Sequence, residues 1–374
     1  MQTARSLVTL IGLFLSGLPL IASSQTYTGE DTRFILKTVA EDLEHPWSLA
    51  FLPDGSMLVT ERAGRLRVIQ DGKLLPQAVQ GLPKPAVSGQ GGLFDIVLHP
   101  EFSENRTLFL SYAHNSGDGM TTRVARAIYD DGRLKDVKII FEALPRSGGS
   151  RHFGGRMAFD APGYLYISVG DRGDKDRAQD TEDDAGGVHR VTINGEPAPG
   201  NPGLNNSAIN STLFTWGNRN IQGMSVHPET GEIWTHEHGP RGGDEVNILK
   251  AGTNYGWPEI TYGIGYSGIP ISLRTEEEGM AQPLHYWDPS IAPSGMAFYR
   301  GSEFPEWQGS WFVGALKLRK LVRLEVTNGE VTTEEDLLTD LEERIRDVRT
   351  GPDGSLWLLT DSSRGKVYRI VPVQ

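Results

Sequence analysis

The segment LAFLPDGSMLVTER, residues 49–62, decides the fold of this chain. Its two short apolar runs, LAFL and MLVT, flank the turn Pro53-Asp54-Gly55. Apolar runs of strand length that are joined by a Pro/Asp/Gly turn are typical of a β-hairpin. The segment therefore predicts two antiparallel strands.

Five further variants of this phrase follow along the chain. They are DIVLHPEFSENRTLFLSY from Asp95, RMAFDAPGYLYISVGD from Arg156, GMSVHPETGEIWTHEHG from Gly223, GMAFYRGSEFPEWQGSWFVGAL from Gly295 and VRTGPDGSLWLLTD from Val348. Without an N-terminal segment of 24 residues, 374 − 24 = 350 residues remain for six units. Each unit then has about 58 residues, slightly more than the period of about 40 to 50 residues of propeller blades. We attribute the excess to inserted loops.

The repeats and the composition predict an all-β fold. Glycine accounts for 45 of 374 residues, which suits a chain with many tight turns. The best helical candidate, residues 333–343, is too short and too polar to form a core layer. We expect a six-bladed β-propeller of four-stranded antiparallel blades, because radial packing leaves only short, protected strand edges. Ring closure predicts that the tail, residues 366–373, pairs with a strand near residues 34–38.

The charge balance and the lack of cysteine limit the function. Lys and Arg number 36 against 48 Asp and Glu, a net charge of −12, so nucleic acid is not an expected partner. A local basic pocket for a small anion remains compatible with this balance. The chain has no cysteine, which excludes disulfides, thiolate metal sites and a cysteine nucleophile. Stability must come from a large core or from non-thiol metals such as calcium.

Residues 1–24 resemble an export signal. A single charge, Arg5, precedes the apolar run of residues 7–21 and the small residues Ala22-Ser23-Ser24, as in secretory signal peptides. Cleavage near Ser24 leaves residues 25–374 as one propeller domain, periplasmic or secreted. The alternative is an uncleaved anchor helix, which is disfavoured because the run is shorter than the about 20 residues that span a bilayer. We expect no stable membrane insertion.

Polar residues flanked by glycine precede three of the repeats. Gln90 stands among three glycines in GQGG, which suggests close approach of the backbone to a ligand, although a plain bulge or turn is the alternative. His152 in RHFGGR is either a structural imidazole or part of a polar site. Arg219 in WGNRNIQG offers a planar fork for carboxylates.

Two further clusters lie nearer the C-terminus. Residues 237–245, EHGPRGGDE, combine acids and glycines densely enough to hold a hard cation through oxygen ligands. His236 and His238 invite a transition-metal interpretation, but no third ligand is clear. Three cations, Lys317, Arg344 and Arg346, lie further along the chain, and charged faces of this kind are usually only solvated. Together with Gln90, His152, Arg219 and the loop of residues 237–245, however, these cations suit a pocket for a small multi-carboxylate molecule.

Eight ordered motifs resemble one known family. The motifs are GQGGL, RHFGGR, WGNRNIQG, EHGPRGGDE, NYGWP, SGMAFY, VGALK and RIRDVRTGPDG, and they extend from about Glu44 to Arg369. They resemble the soluble pyrroloquinoline-quinone (PQQ) dehydrogenases, and most closely their aldose sugar dehydrogenase branch. The resemblance implies a six-bladed propeller that oxidises aldoses at the anomeric carbon to lactones. It further implies PQQ and calcium as cofactors, hydride transfer to PQQ, and an external electron acceptor such as a quinone, a cytochrome or a dye.

The resemblance also implies roles for individual residues. His152 matches the general base, and Arg219 matches the residue that helps to hold the charge developing on the quinone. The calcium under the quinone would be bound by the carbonyls of Gly239 and Pro240. A second, structural calcium would be bound by Glu245 and the Tyr255 carbonyl. The positions that match PQQ contacts are Gln90, Arg219, Asn220, Tyr266, Lys317, Arg344 and Arg346.

The sequence departs from the larger relatives in two respects. Arg151 stands before the base where the glucose dehydrogenases have an acidic residue, so the support of His152 is expected to differ. The long loops that shape the glucose pocket in the larger relatives have no clear counterpart, which favours a broad range of aldose substrates. The sequence is compatible with a monomer or a homodimer. Two other functional classes remain as alternatives. One is a metal-dependent propeller hydrolase such as a lactonase, and the other is a non-catalytic sugar-binding propeller in which Trp257 and Trp287 would be the aromatic platforms for the sugar. The cationic cluster favours the dehydrogenase.

Overall fold

The structure, a computed structural model, describes residues 25–373, which form six β-sheets arranged as blades of one ring. The first strands of successive blades contact one another in a closed circle, so the prediction of a six-bladed propeller is confirmed. The predicted signal segment, residues 1–24, lies outside the described residues. Within residues 25–373 no helix is long and apolar enough to cross a membrane.

Each blade is built on an antiparallel meander whose first strand lies nearest the ring axis. Two strands precede the first blade: β1 (Thr26–Thr28) and β2 (Arg33–Leu43). Blade 1 consists of β3 (Pro46–Phe51), β4 (Met57–Glu61), β5 (Arg65–Gln70) and β6 (Lys73–Leu74). Blade 2 consists of β7 (Leu93–Leu98), β8 (Thr107–Asn115), β9 (Met120–Asp130) and β10 (Arg133–Glu142). Blade 3 consists of β11 (Met157–Phe159), β12 (Leu165–Val169), β13 (Gly187–Val191) and β14 (Leu213–Trp216).

The second half of the chain completes the ring. Blade 4 consists of β15 (Ile221–Val226), β16 (Ile233–Glu237), β17 (Asp244–Ile248) and β19 (His285–Trp287), while β18 (Thr253–Asn254) adds to blade 3. Blade 5 consists of β20 (Pro293–Phe298), β21 (Trp311–Ala315), β22 (Leu321–Thr327) and β23 (Glu330–Leu337). Blade 6 contains β24 (Ile345–Thr350), β25 (Leu356–Thr360) and β26 (Gly365–Pro372). The described helices are short: α1 (Phe102–Asn105) and 3₁₀ turns at Lys175–Gln179, Pro202–Leu204, Pro305–Trp307 and Thr339–Leu341.

The two ends of the chain close blade 6. Strand β2 pairs antiparallel with β26, with Phe34 opposite Pro372 and Thr38 opposite Tyr368, so the predicted pairing of the ends is confirmed. Strand β1 then pairs with β2 and gives this blade a fifth strand. The polar stretch of residues 333–343 ends strand β23 and continues into a 3₁₀ turn, which agrees with the absence of a core helix.

Apolar layers between neighbouring blades form the core. The layer between blades 5 and 6, for example, contains Phe34, Trp307, Phe312 and Leu358, all at most 1% exposed. Strands near the axis are covered on both faces. Strand β4 is accordingly buried at every position, and its sequence does not alternate between apolar and polar residues. Burial of each large apolar side chain contributes about 1.5–3 kcal/mol to the stability of the ring.

The ring axis is polar and carries a charge-balanced network of two arginines and two aspartates. Arg156 Nη1 lies 2.8 Å from Asp347 Oδ1, and Arg349 lies 2.6 Å from Asp95 and 2.7 Å from Asp347. Asp95 also accepts a hydrogen bond from Ser48 at 2.6 Å. Asp95, Arg156 and Asp347 are at most 2% exposed. The network therefore joins blades 1, 2 and 6 to the start of blade 3 across the axis.

Candidate functional site

The topology brings the sequence-predicted residues to one end of the ring. In a four-stranded meander, the connection into the first strand and the turn between the second and third strands leave the blade at the same end. Gln90, His152 and Arg219 precede the first strands of blades 2, 3 and 4, and the turn from Gly239 to Arg241 joins the second and third strands of blade 4. Residues far apart in sequence thus surround one opening on the axis.

A cavity of about 460 Å³ opens at this end, a size within the range of small-molecule sites. Of the predicted residues, Gln90, Asn220, Arg344 and Arg346 line it. Arg62 adds a third guanidinium, and Asp361 is the carboxylate of the lining. The remaining lining residues are His45, Trp47, Gly89, Phe94, Phe153, Gly154, Gln222, His238, Ala292 and Leu316. The excess of cationic groups in the lining favours an anionic ligand.

His152 stands beside this cavity and is held by an aspartate that sequence reasoning missed. Its Nδ1 lies 2.6 Å from Asp171 Oδ1, and its backbone N–H donates to Gln90 Oε1 at 2.7 Å. Trp257 Nε1 donates to the other oxygen of Asp171 at 3.0 Å. The carboxylate fixes the orientation of the imidazole and leaves Nε2 as the atom that can accept a proton from a substrate.

The two glycines after His152 allow the tight path into blade 3. Gly154 has φ of +64°, and a Cβ there would lie 2.6 Å from the Ser168 carbonyl oxygen. Gly155 has φ of +94°, and a Cβ there would lie 2.8 Å from the Phe94 ring. His152 itself has a left-handed φ of +52°. Non-glycine residues rarely adopt this conformation, and those that do are concentrated at functional sites.

Burial and charge act in opposite directions on this pair. Burial lowers the pKa of His152 below its ordinary value, although the hydrogen bond and the negative charge of Asp171 oppose this. Burial alone would raise the pKa of Asp171, but the hydrogen bonds from His152 and from the Gly173 N–H outweigh it, and the pKa lies below its ordinary value. The pair is therefore a neutral imidazole and an ionised carboxylate near pH 7. Arg151 packs over Gly173, and its positive charge lowers the pKa of His152, so the carboxylate that supports the imidazole is Asp171 and not the residue before His152.

Arg219 and Asn220 form a layer at the wall of the cavity, in which Asn220 lines the cavity and Arg219 is not among the lining residues. Arg219 is 7% exposed, and its Nη1 donates to the carbonyls of His238 and Gly239 at 2.9 Å each. Its guanidinium lies 5.3 Å from the centre of the Trp257 ring. Asn220 Oδ1 accepts the Gly154 N–H at 3.1 Å, which ties this layer to the loop of His152. Glu237, the first acid of the cluster at residues 237–245, accepts the backbone N–H groups of Arg219 and Asn220 and shapes the loop.

Arg344 and Arg346 are already paired with a carboxylate on the cavity wall. Asp361 Oδ2 lies 3.0 Å from Arg344 Nη2 and 2.9 Å from Arg346 Nη2, and Asp361 Oδ1 lies 2.8 Å from His45 Nδ1. Arg346 Nη1 makes only long hydrogen bonds, at 3.3 Å to Ser294 and 3.4 Å to Gln222. Donor capacity of the pair therefore remains for a ligand in the cavity.

Three of the predicted cofactor contacts are not among the lining residues: Arg219, which is described above, Tyr266 and Lys317. Tyr266 is 74% exposed on the loop between β18 and β19 and is not among the lining residues. Lys317 is exposed and directly follows Leu316, which lines the cavity. Tyr266 therefore lies outside the lining of this cavity, whereas Lys317 stands next to the cavity wall.

Two alternatives from the sequence lose support. The Nε2 atoms of His236 and His238 are 3.2 and 2.8 Å from the carbonyls of Gly295 and Pro293, and burial lowers both pKa values to about 3. These histidines are therefore held as neutral structural imidazoles. Trp257 and Trp287, the platforms of a sugar-binding propeller, are only 7% and 5% exposed.

The turn predicted to hold the first calcium has its carbonyls close to Arg219. Asp244 Oδ1 accepts the Gly239 N–H at 2.9 Å and thereby clamps the turn. The Gly239 carbonyl accepts Arg219, while no N–H group of residues 25–373 donates to the Pro240 carbonyl. Among these residues no group of three or more His, Asp or Glu side chains is arranged as a metal site. A cation at the turn would thus depend on main-chain oxygens and on oxygens of a bound ligand.

The predicted structural calcium position contains two facing carboxylates. Glu245 on β17 stands opposite Glu237 on β16, and the Oδ1 atoms of the buried Asn218 and Asn247 have no hydrogen-bond partner within the described chain. Burial raises the pKa of Glu237 to about 7, and burial together with the charge of Glu237 raises that of Glu245 well above its ordinary value. Tyr255 is buried and its N–H donates to the Trp216 carbonyl. Two carboxylates and orphaned amide oxygens are the hard ligands that calcium prefers.

Fold and site together define a propeller whose axial pocket combines a histidine–aspartate pair with several guanidinium groups. The family model described as Glucose / Sorbosone dehydrogenase matches residues 43–369, and the chain belongs to this family. It is therefore a sugar dehydrogenase, an oxidoreductase.

Individual relatives are similar over nearly their whole length. Aldose sugar dehydrogenase YliI of Escherichia coli is 42% identical over 360 residues, which cover 95% of this chain and 97% of that protein. The crystal structure of the soluble aldose sugar dehydrogenase from Escherichia coli in the apo-form matches with a TM-score of 0.88 at 42% identity, over 91% of this chain and 100% of that one. The PQQ-bound form of aldose sugar dehydrogenase from Streptomyces coelicolor matches with a TM-score of 0.75 at 28% identity, over 89% and 96% of the two chains.

Proposed function

We propose that this chain oxidises aldoses at the anomeric carbon to lactones, with PQQ and calcium as cofactors and an external electron acceptor. The observation that carries the proposal is the His152–Asp171 pair at 2.6 Å beside a cavity lined by Arg62, Arg344 and Arg346. A relative of 28% identity is described in its PQQ-bound form, which supports the choice of cofactor. The physiological sugar is proposed only as a class, the aldoses.

The cavity suits PQQ, which carries three carboxylates and an ortho-quinone. Arg344 and Arg346 can donate charge-assisted hydrogen bonds to a carboxylate, and these are stronger than hydrogen bonds between neutral groups. Gln90 Nε2 has no hydrogen-bond partner within residues 25–373 and is available to a ligand. Lys317, Arg219 and Asn220 remain proposed contacts of the same ligand. Tyr266, whose side chain is 74% exposed, also remains a proposed contact of this ligand.

In this mechanism His152 acts as the base for the sugar. Its Nε2 accepts the proton of the anomeric hydroxyl as the anomeric carbon, C1, gives up its hydrogen as a hydride. Asp171 stabilises the imidazolium that forms on His152. Arg219, held over Trp257, places positive charge next to the region where negative charge develops. Bound PQQ supplies the two-electron quinone chemistry, and calcium supplies Lewis acidity. Gly239 and Pro240 would hold that calcium through their carbonyls.

We further propose that residues 1–24 are a cleaved signal peptide and that residues 25–374 act as one domain in the periplasm or outside the cell. The order of charge, apolar run and small residues in the first 24 positions supports this. Mass determination of the exported chain tests it, since a mature N-terminus near residue 25 is expected. A full-length chain in the membrane fraction would contradict it.

Reconstitution tests the proposed reaction. The purified protein is mixed with PQQ and calcium, and reduction of an artificial dye is followed with a panel of aldoses. We expect PQQ absorbance to copurify with the protein and dye reduction to depend on aldose, PQQ and calcium. Tight PQQ binding without turnover of any aldose would contradict the dehydrogenase function.

Calcium binding at Glu245 is expected to stabilise the fold. At a calcium concentration about 100 times Kd, a ligand of the folded state adds about 2.7 kcal/mol to the free energy of unfolding. A chelator should therefore lower the melting temperature of the wild type, whereas Glu245→Gln should melt at the lower temperature with or without the chelator. Glu101→Gln, at an exposed position, is the matched control. An equal chelator effect on Glu245→Gln and on wild type would contradict this site.

A further inference from the structure

The cavity is lined by a second histidine that is paired with an aspartate. His45 lies between β2 and β3, and its Nδ1 is 2.8 Å from Asp361 Oδ1. Its φ is +45°, so both His45 and His152 have a left-handed backbone where the chain enters a first strand. The side chain of His45 is 36% exposed, against 12% for His152. His45 thus faces both the cavity and solvent, and the proposed sugar reaction does not use it.

Asp361 connects His45 to the arginines that are proposed to bind the cofactor. One carboxylate oxygen bonds His45, and the other lies within 3.0 Å of both Arg344 and Arg346. Burial alone would raise the pKa of Asp361, but Arg346, His45 and Arg344 hold it well below its usual range. Because Asp361 stays ionised, Nδ1 of His45 keeps its proton. The Nε2 atom makes no hydrogen bond to any residue of the range 25–373 and is left for a ligand.

Other charges around His45 come from two blades. The Arg62 N–H donates to the His45 carbonyl at 3.1 Å, and the Arg62 side chain lines the same cavity. The Glu44 N–H donates to Glu61 at 2.6 Å, and Arg65 pairs with both acids. The charged groups next to His45 are therefore Glu44 in the connection between β2 and β3, Glu61, Arg62 and Arg65 of blade 1, and Arg344, Arg346, Asp361 and the Asp42–Arg364 pair of blade 6.

We propose that His45 takes up a proton when a multi-carboxylate ligand binds beside Arg344 and Arg346, and that its imidazolium then binds a carboxylate of this ligand. A ligand carboxylate at the two arginines adds negative charge next to Asp361, and nearby negative charge favours the protonated form of an imidazole. The proton comes from solvent, to which His45 is open. The proposal rests on the proposed function, because PQQ is the ligand concerned. It makes the affinity for PQQ fall as the pH rises through the range in which imidazoles titrate.

Calorimetric titration with PQQ in the presence of calcium tests this. Titrations in buffers of different ionisation enthalpy give the number of protons taken up, and we expect up to about one more proton per PQQ for the wild type than for His45→Gln near neutral pH. The affinity of the wild type should fall by up to about tenfold from pH 6 to pH 8, and that of His45→Gln by less. His114→Gln, which replaces a partly exposed histidine of β8, is the matched control and should behave as wild type.

The outcomes separate this inference from the proposed function. PQQ binding with the same proton uptake in His45→Gln and in wild type would overturn the role of His45 alone. Lack of PQQ binding to the wild type would overturn the proposed function and this inference with it. Should His45→Gln not fold, the histidine C2–H resonances of the wild type are titrated with and without PQQ, and one of them must titrate at a higher pH in the complex.

Discussion

Replacing His152 by alanine is expected to lower kcat about 100- to 10,000-fold while PQQ binding is retained, because a positioned general base contributes an acceleration of this size. His152 is not among the cavity-lining residues, and its imidazole is bonded to Asp171, so its loss leaves Arg344 and Arg346 in place. Stopped-flow reduction of bound PQQ by an aldose measures the chemical step, and PQQ absorbance measures retention. A variant that keeps PQQ and turns over at the wild-type rate would refute the assignment of the base.

The pH profile separates the base from a merely structural histidine. Activity requires the neutral imidazole, so kcat/KM should fall as the pH drops through the pKa of His152, which burial lowers below its ordinary value of about 6.5. Asp171 raises that pKa, so Asp171→Asn should move the acid limb further to lower pH and also reduce the rate through loss of the oriented tautomer. An acid limb that is identical in wild type and Asp171→Asn would show that this carboxylate does not act on His152.

Replacing Arg156 by methionine is expected to destabilise the ring by about 3–5 kcal/mol, because removal of one partner from a buried ion pair leaves an uncompensated charge. Arg156 is 2% exposed, lies 2.8 Å from Asp347 and stacks 4.1 Å from the centre of the Trp47 ring. Its Nε also donates to the Gln222 carbonyl at 2.7 Å. Arg349 alone would then face both Asp95 and Asp347. Urea unfolding followed by tryptophan fluorescence measures the loss.

An arginine on the surface provides the matched control for this change. Arg364 pairs with Asp42 at 3.0 Å, but its side chain is 81% exposed. Arg364→Met should therefore change the free energy of unfolding by at most about 1 kcal/mol. Equal losses for Arg156→Met and Arg364→Met would show that the axial network does not stabilise the ring. Recovery of stability by combining Arg156→Met with Asp347→Asn would show that the uncompensated charge causes the loss.

The repeated phrase also contains a signal for acids whose contacts at the site were not predicted from the sequence. Four of the six copies have an acid at or just after the end of the second strand: Glu61, Asp171, Glu237 and Asp361. In a propeller this position lies at the same end as the connections between blades, so each acid meets polar groups of that end. Asp171 bonds His152, Glu237 bonds the loop of Arg219, and Asp361 bonds Arg344 and Arg346. The alignment of the repeats could have indicated these residues, but not their partners.

The sequence by itself determined the number of blades, the pairing of the chain ends and most of the residues near the pocket. These follow from local patterns, since a hairpin is written in adjacent residues and its sixfold repetition has few architectural solutions. The eight ordered motifs also indicated the family. By contrast, Tyr266 matched a motif and yet lies exposed outside the lining, because a motif does not fix where a loop between strands packs.

Only the tertiary structure decided which groups act on one another. Asp171 is 19 residues from His152, whereas Asp361 is 316 residues from His45, and both pairs form at less than 3 Å. Burial of the pairs and of Glu237 exists only once six blades surround the axis, and that burial shifts their pKa values. Strand patterns depend on neighbours along the chain, but electrostatic environments depend on neighbours in space, which the ring creates by closing.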